Sequence, residues 1–416
     1  MTDTIEAPRA PERLHALDAV RGFALLLGVV FHASLSFVPS PHPIWAIQDS
    51  HPSRTLAVVF FSSHVFRMMT FFLIAGFFAH MTFHRRGAAG FIGDRLKRIA
   101  LPMVVAWPFL FVSITAATIW GVVAAYHGHL PPGPAPRWPT FPNFPLTHLW
   151  FLWVLLEFYA VTMIVRGLVA LIDRRGRMRG AVDRLVGGLM RSGLAPLVLA
   201  APAAAVFALD PHWLMWFGVF TPDSSFVTNL QTWAGYGVGF GFGWLLNRRV
   251  DLLDVVRRRW AFNLLFAICF TSAAWFIATP TMLGTPQGIW HWVGAAVYPL
   301  AAWTSTFALI GLALQFLSGF SPARRYIADA SYWIYLIHMP IVMALQVLLA
   351  PLDWAWPVKF AVLLGAAFAV MLASYQLMVR HSFIGAVLNG PRPRRARRLQ
   401  TQSPSSTPVA SISESS

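Results

Sequence analysis

Long apolar stretches recur along the chain and alternate with short polar segments. A helix needs about 20 mostly apolar residues to cross a bilayer. Several stretches approach or exceed that length, so the pattern predicts an all-α membrane protein, a polytopic bundle of about ten transmembrane helices. The predicted spans are residues 17–38, 56–83, 99–126, 148–172, 194–209, 228–247, 260–279, 289–317, 331–350 and 357–380.

The composition agrees with a membrane domain that fills most of the chain. Hydrophobic residues make up 57% of the sequence and charged residues 12%, whereas an average soluble domain carries about 25% charged residues. We predict a cytoplasmic polar tail at 1–16, a transmembrane domain at 17–383 and a basic, disordered C-terminal tail at 391–416. The acidic N-terminus is unlike a signal peptide, so the first apolar stretch is interpreted as a retained span.

The positive charge follows the expected topology. The formal net charge is +16, and arginines concentrate in alternate connections such as 85–98 and 174–191. The intervening connections contain only Arg54 and Arg137, with Lys359 just inside the last predicted span. Because basic short loops stay in the cytoplasm, both termini are predicted to be cytoplasmic. The excess charge then indicates topology and contact with membrane lipid, and it does not favour a nucleic-acid partner.

The first predicted span carries ionisable residues inside an apolar sequence. Arg21 and His32 are eleven residues apart, which places them about 20° apart around a helix and about 16 Å apart along it. Both therefore face the same neighbour, and Asp18 is spaced to pair with Arg21. A charge within a span normally faces the bundle interior or a wet cavity. His32 is either a hydrogen-bonded structural histidine or part of a site, and Arg21 on the same stripe favours a site.

Three further arginines have two interpretations each. Arg67 lies within the second span and needs an anionic or carbonyl partner, so it either holds a substrate carboxylate or phosphate or joins helices. Arg95 and Arg98 share a helix face just before the third span. They are placed to meet the phosphates of a nucleotide, although ordinary cytoplasmic charge paired with Asp94 explains them as well.

Polar residues also begin the fourth span and interrupt the ninth. His148 is expected at the outer interface. Ser331, Tyr335 and His338 fall on adjoining faces of one helix, and Pro340 frees a backbone carbonyl there. Two outer segments, 127–147 and 213–216, are rich in aromatic residues, which either stack on sugar rings or form an interfacial belt.

An apolar bundle with buried histidine and arginine reached from both sides suits group transfer across the membrane. An activated donor would enter from the cytoplasm and an acceptor hydroxyl from the other side, with a histidine as general base. The single cysteine, Cys269, and the lack of HExxH or Walker motifs provide no sign of a metal site or a nucleotide loop. The alternative is a transporter or flippase that uses the buried groups for coupling, although no inverted repeat is evident. A non-catalytic scaffold is a third interpretation.

Several short motifs together resemble one family. Arg21 to His32 is similar to the R-x10-H signature of the acyltransferase-3 family of membrane O-acyltransferases, and Arg95-x-x-Arg98 is similar to the arginine pair before its third span. The matching pieces are LDAVR, FHASL, FRMMTFFLIAGFF, RLKRIALPM, THLWFL and SYWIYLIHMP, in order over residues 15–345. Each piece alone is weak, and the ordered set carries the resemblance.

The resemblance implies a ten-helix bundle in the bacterial inner membrane with a pore-like channel. It implies O-acyl transfer from cytoplasmic acyl-CoA to a hydroxyl of an extracytoplasmic glycan, with no permanently bound cofactor. His32 would be the catalytic base, Arg21 would orient it or hold the donor, and Arg95 and Arg98 would contact acyl-CoA. Four other residues match motifs of a branch that moves succinyl groups from succinyl-CoA to periplasmic glucans: Arg67, His148, Ser331 and His338. The two outer aromatic segments have no counterpart in that pattern, so the acyl group and the acceptor stay open.

Overall fold

The computed structural model describes residues 10–40, 44–129, 140–282 and 284–390, and the regular elements in these ranges are helical apart from an isolated bridge between Asn143 and Ser225. The predicted C-terminal tail, most of the predicted N-terminal tail and part of the 127–147 segment lie outside the described residues. The helices are α1 (Ala10–Ser34), α2 (Arg54–Arg95), α3 (Leu101–Ala125), α4 (Trp150–Ile172), α5 (Arg177–Ser192), α6 (Ala195–Leu209), α7 (Leu230–Thr232), α8 (Val238–Arg248), α9 (Leu253–Arg258), α10 (Trp260–Ala278), α11 (Ile289–Phe316), α12 (Pro322–Leu349), α13 (Trp356–Ser374) and α14 (Phe383–Asn389).

The protein is a multi-pass helical membrane protein. Within the described ranges seven helical segments are long and apolar enough to cross a membrane, or eight if the bent pair α5–α6 counts as one. One of these segments, Arg54–Ala125, is 72 residues long, far more than the roughly 20 residues that one crossing requires. Its backbone leaves helical geometry at Gly87, where φ is 68°. The number ten remains a prediction.

Some helices extend beyond their predicted apolar limits. Helix α1 begins by Ala10 instead of residue 17, and α12 begins at Pro322 instead of residue 331. The start of α12 has a local cause, because the Ser321 side chain caps the helix by accepting from the Arg324 N–H and proline is favoured in the first turn. The basic connection before the fifth span also contains the helix α5, bent by 105° from α6, which hydropathy alone did not predict.

Glycines bring α2 and α8 into close contact. A Cβ at Gly76 would overlap the carbonyl oxygen of Phe240, and a Cβ at Gly243 would overlap that of Leu73. Small residues at such positions let helix backbones approach closely in membranes. The other side of α2 packs on α1, which also contacts α11 and α12. The first two spans therefore pack directly against each other.

Two outer segments join to form one cover over the bundle, defined here as residues 140–149 and 210–229. The Phe144 N–H donates to the Ser224 carbonyl and the Phe226 N–H donates to the Pro142 carbonyl, both at 3.0 Å. The Phe144 and Phe226 rings stack with centroids 4.4 Å apart. These backbone hydrogen bonds and the stacked rings join the two segments to each other.

Candidate functional site

Two adjoining cavities contain all the site residues that the sequence predicts. The histidine cavity, of about 270 Å³, is lined by His32, Arg67, His148 and His338, among others. The arginine cavity, of about 520 Å³, is lined by Arg21, Arg95, Arg98 and Ser331, among others. Four side chains line both cavities and form a septum between them: Leu25, Phe71, Phe151 and Tyr335.

His32 lies in the last turn of α1 and is partly accessible from the histidine cavity. Its Nδ1 atom is buried and has no hydrogen-bond partner. Its backbone carbonyl accepts a hydrogen bond of 2.9 Å from the Gln346 amide, whose oxygen in turn accepts from the Trp45 indole N–H. The backbone at His32 is thus fixed by α12 while the imidazole stays uncommitted. The sequence offered no signal for Gln346, because it is 314 residues away.

Three other histidines in the cavity each use one ring nitrogen on the backbone and leave the other free. Since a carbonyl can only accept, the bonded nitrogen carries the proton and the free nitrogen presents a lone pair. The free atoms of all three are buried without a partner. The bonds are His64 Nε2–H to the Phe217 carbonyl at 2.6 Å, His148 Nε2–H to the Leu336 carbonyl at 3.0 Å and His338 Nδ1–H to the Tyr335 carbonyl at 2.7 Å.

Pro340 explains why the Leu336 carbonyl is available to His148. Proline has no N–H, so the carbonyl four residues earlier in α12 lacks its helical donor. His148 supplies a donor to that carbonyl from the start of the fourth span. The carbonyl that the sequence predicts to be free therefore serves to orient a cavity histidine. The His338 ring lies between two others, with its centroid 5.2 Å from those of His32 and His148.

Arg67 is a buried cation without a carboxylate partner. Its side chain lies in α2, the residue is 8% exposed, and its guanidinium stacks 4.2 Å from the centre of the Phe31 ring. Among the described residues no carboxylate lies within 4.0 Å of it, and its Nε has no partner. Gly28 on α1 leaves room for the guanidinium, since a Cβ there would lie 3.0 Å from Arg67 Nη1. Such a group favours an anionic ligand.

Unpartnered polar atoms concentrate in the histidine cavity. An unpaired buried polar group costs about 1–3 kcal/mol, so such groups are rare and call for an explanation. Among the described residues, twelve buried side-chain nitrogen or oxygen atoms lack a partner, and six of them belong to residues of this one cavity. The six are His32 Nδ1, His64 Nδ1, Arg67 Nε, Thr147 Oγ1, His148 Nδ1 and His338 Nε2.

The arginine cavity is charged but internally paired. Arg21 contacts Asp18 at 3.1 Å, as its spacing predicts, and Arg98 contacts Asp94 at 3.2 Å. Arg95 lies 3.5 Å from the same aspartate. The arginine pair spans the start of a π-helical turn, Leu96–Ala100, a distortion that is frequent at functional sites. The lining holds five arginines and two aspartates, so positive charge is in excess: Arg21, Arg85, Arg95, Arg98, Arg325, Asp18 and Asp329.

The structure restricts the roles that the sequence predicted for Ser331 and Arg21. Ser331 lines the arginine cavity, but its hydroxyl donates to the Ala328 carbonyl of its own helix at 2.8 Å. Arg21 and His32 share a stripe of α1 yet line different cavities, since Leu25 of the septum lies between them. Arg21 therefore does not contact the imidazole. Within the described part of the chain, no group of three or more His, Cys, Asp or Glu residues is arranged to hold a metal ion.

The fold and the cavities define a class: a multi-pass membrane protein with a buried histidine and arginine site between a basic cavity and the cover formed by residues 140–149 and 210–229. The profile of the acyltransferase-3 family, described as an acyltransferase domain, matches residues 14–376. The chain therefore belongs to the acyltransferase-3 family, and the resemblance seen in its motifs is confirmed. The expected acyltransferase class is confirmed at the level of this family domain.

Curated relatives match over a shorter region. Glucans biosynthesis protein C of Escherichia coli (strain SMS-3-5 / SECEC) is 37% identical over 103 residues, which cover 25% of this chain and 26% of that protein. The protein of the same name from Shigella boydii serotype 4 (strain Sb227) is 36% identical over 103 residues, with the same coverage. The chain thus matches about a quarter of the length of these curated relatives. No solved structure matches the chain.

Proposed function

We propose that this protein is a membrane O-acyltransferase that moves an acyl group from acyl-CoA to a hydroxyl of an extracytoplasmic glycan. A glucan is the proposed acceptor, in keeping with the name of the relatives. The observation that carries the proposal is the set of six unpartnered polar atoms around one cavity that contains His32. A ligand with hydroxyl and carbonyl oxygens would satisfy these atoms.

His32 acts as the general base in this proposal. It removes the proton of the acceptor hydroxyl as that oxygen attacks the thioester carbonyl of the donor. The new C–O bond forms, the C–S bond breaks, and the proton passes from the imidazolium to the departing thiolate, so the base is regenerated. Imidazole suits this role because it titrates near neutral pH. The R-x10-H motif that His32 completes supports the assignment, because the other three cavity histidines also present a free ring nitrogen.

The arginine cavity holds the nucleotide end of the donor. Its excess of arginine over aspartate attracts phosphate groups, and arginine can bind a phosphate through two parallel hydrogen bonds. Arg21, Arg95 and Arg98 are the proposed phosphate contacts. The acyl end would then pass between the septum side chains to reach His32.

Arg67 selects the acyl group. A buried cation without a partner beside the proposed base suits an acyl group that ends in a second carboxylate, and succinyl is the proposed example. Charge-assisted hydrogen bonds contribute about 1.5–3 kcal/mol, enough to separate a succinyl from an acetyl donor. His148 and His338 would instead accept hydrogen bonds from substrate hydroxyls, because their free ring nitrogens present lone pairs.

We further propose ten spans with both termini in the cytoplasm of a bacterium and the protein in the inner membrane. The run Arg54–Ala125 would form two of these spans around the break at Gly87, and α6 and the segment ending in α8 would form two more. The alternation of basic connections supports this orientation. The arginine cavity then opens toward the cytoplasm, where acyl-CoA is available.

A deletion strain tests the proposal. Mass spectrometry of its envelope glycans should show loss of acyl substituents, which the wild-type gene restores. His32→Ala should fail to restore them and should lower the turnover of purified protein by about 10²–10⁴-fold, the usual contribution of a general base. The matched control His381→Ala changes an exposed histidine outside both cavities and should restore the substituents fully.

Two results would contradict the proposal. One is full restoration by His32→Ala. The other is movement of labelled glycan or lipid across proteoliposomes that contain the protein but no acyl-CoA, which would support the transporter alternative instead.

A further inference from the structure

Thr147 has two unusual features at the outer end of the histidine cavity. Its backbone φ is +54°, a region in which a β-branched residue is a genuine outlier at a cost of about 1–3 kcal/mol. Its hydroxyl oxygen is buried without a hydrogen-bond partner, although the residue lines the cavity. A strained backbone that presents an unpaired hydroxyl indicates a group kept for a ligand.

The outer cover holds Thr147 beside a carboxylate. The Thr147 N–H donates to the backbone carbonyl of Asp223 at 3.0 Å, and Asp223 lines the same cavity. The Asp223 side chain is exposed and accepts one hydrogen bond, from the Ser224 hydroxyl at 3.1 Å. Most of its acceptor capacity is therefore free, because a carboxylate has about four lone-pair sites.

Aromatic side chains line the same cavity. Trp45 and Phe217 both contribute to the lining, and Trp45 has its indole N–H engaged by Gln346, which fixes the ring. A hydroxyl, a carboxylate and aromatic surfaces are the groups that bind a neutral sugar, whose vicinal hydroxyls donate and accept and whose ring faces are apolar. The cations of the cavity, in contrast, suit the donor.

We propose that Thr147 and Asp223 form an acceptor subsite for a neutral carbohydrate, with one sugar hydroxyl on Thr147 Oγ1 and a neighbouring hydroxyl on the Asp223 carboxylate. The subsite rests on the acyltransferase function proposed above and specifies where the acceptor binds. Glycine at position 147 would remove the backbone strain, so the presence of threonine is explained by the hydroxyl.

Binding of a homogeneous glucose oligosaccharide to the purified full-length protein tests the subsite without any chemistry. Calorimetry or saturation-transfer NMR should show binding to the wild type that Thr147→Val and Asp223→Asn each weaken about tenfold, the value of one good hydrogen bond. Thr147→Ser should bind within about threefold of the wild type, because it keeps the hydroxyl. Thr147→Gly should lose binding like the valine variant but keep or raise the melting temperature, since it relieves the strain.

Kinetics separate this role from a structural one. With acyl-CoA present, Thr147→Val should raise KM for the oligosaccharide and leave KM for acyl-CoA within about twofold. The matched control is Thr82→Val, which removes a hydroxyl bonded to the Phe78 carbonyl outside both cavities and should bind the oligosaccharide like the wild type.

The outcomes are distinguishable. Unchanged binding in Thr147→Val or no binding by the wild type would overturn the subsite. So would a lower melting temperature in Thr147→Val together with a rise in KM for both substrates. Oligosaccharide binding that depends on Thr147, combined with an absence of acyl transfer by the wild type, would support the subsite and refute the proposed reaction. Acyl transfer by the wild type, with no effect of Thr147→Val on oligosaccharide binding, would support the proposed reaction and refute the subsite.

Discussion

The two cavities differ in how their charges are paired. In the arginine cavity Arg21, Arg95 and Arg98 contact aspartates at 3.1–3.5 Å and remain partly exposed, with 29% of the Arg98 side chain accessible. In the histidine cavity Arg67 is 8% exposed and has no carboxylate within 4.0 Å among the described residues. The first cavity therefore presents cations that are paired and partly solvated, and the second presents a buried cation.

This difference sets the size of the effects expected from each. Partly exposed ion pairs contribute about 0.2–1 kcal/mol because water screens them. Buried polar groups interact more strongly with a ligand, since the local dielectric is lower and the protein groups are already in position. Substrate selection should therefore depend mostly on the smaller cavity, and donor capture on the larger one.

Removal of the unpaired cation should have the largest effect among the substrate contacts. Arg67→Met should lower kcat/KM for succinyl-CoA by about 10–100-fold, because a charge-assisted hydrogen bond to the distal carboxylate is lost. The activity with acetyl-CoA, which has no such carboxylate, should fall much less. The measurement is steady-state kinetics with both donors on purified protein.

Arg67→Lys is the matched control for this change. It keeps the charge but loses the planar pair of donors, so the succinyl preference should be only partly reduced. An equal loss of activity with both donors in Arg67→Met would contradict the role in acyl selection and would indicate that Arg67 only supports the bundle.

A smaller effect is expected in the arginine cavity. Arg98→Gln should raise KM for acyl-CoA about three- to tenfold with little change in kcat, because one partly solvated phosphate contact is lost. The increase should shrink at high salt, since screening already weakens such contacts in the wild type. Titration of acyl-CoA at two ionic strengths measures both effects.

Arg86→Gln is a control of the same charge change at the same aspartate. Arg86 contacts Asp94 at 2.7 Å but does not line the cavity, so its KM for acyl-CoA should stay within about twofold of the wild type. An equal rise in both variants would mean that Asp94 pairing, and not phosphate binding, explains the arginine pair.

Helical periodicity predicted which residues of α1 belong to the site, but it did not predict that the site is divided into two cavities. The stripe of α1 that contains Arg21 and His32 also contains Leu25 and Gly28, each about one turn from the next. All four line one or both cavities. The septum could not be predicted, because it also requires Phe151 and Tyr335 from two helices distant in sequence.

Features that depend on backbone conformation or on contacts between distant residues also could not be predicted from the sequence. The positive φ of Thr147 has no sequence signal, since threonine normally avoids it. The Gln346 bond to the His32 carbonyl joins helices 314 residues apart. The freed carbonyl near Pro340, in contrast, was predictable from proline chemistry alone, although its partner His148 was not.

Substitution of Gly28 provides the test of the two cavities with the smallest expected effect. It shifts the position of the Arg67 charge without removing that charge. A Cβ at this position would lie 3.0 Å from Arg67 Nη1, so Gly28→Ala should displace the guanidinium by a few tenths of an ångström. The protein should fold normally, because alanine favours helices over glycine by about 1 kcal/mol and the displaced atom ends a flexible side chain. The kcat/KM for succinyl-CoA should fall by about two- to fivefold, since a slight misplacement weakens a directional hydrogen bond.

Gly22→Ala on the same helix separates this effect from a general change in α1. Its Cβ would meet the Ala328 backbone at an ordinary distance of 3.6 Å, and it lies about 9 Å along the helix from Gly28, so its activity with succinyl-CoA should match the wild type. If Gly28→Ala lowers acetyl and succinyl transfer equally, the substitution disturbs His32 or the septum instead. A selective loss of succinyl transfer would show that the position of one guanidinium, fixed by the absence of one methyl group, sets the acyl preference of the histidine cavity.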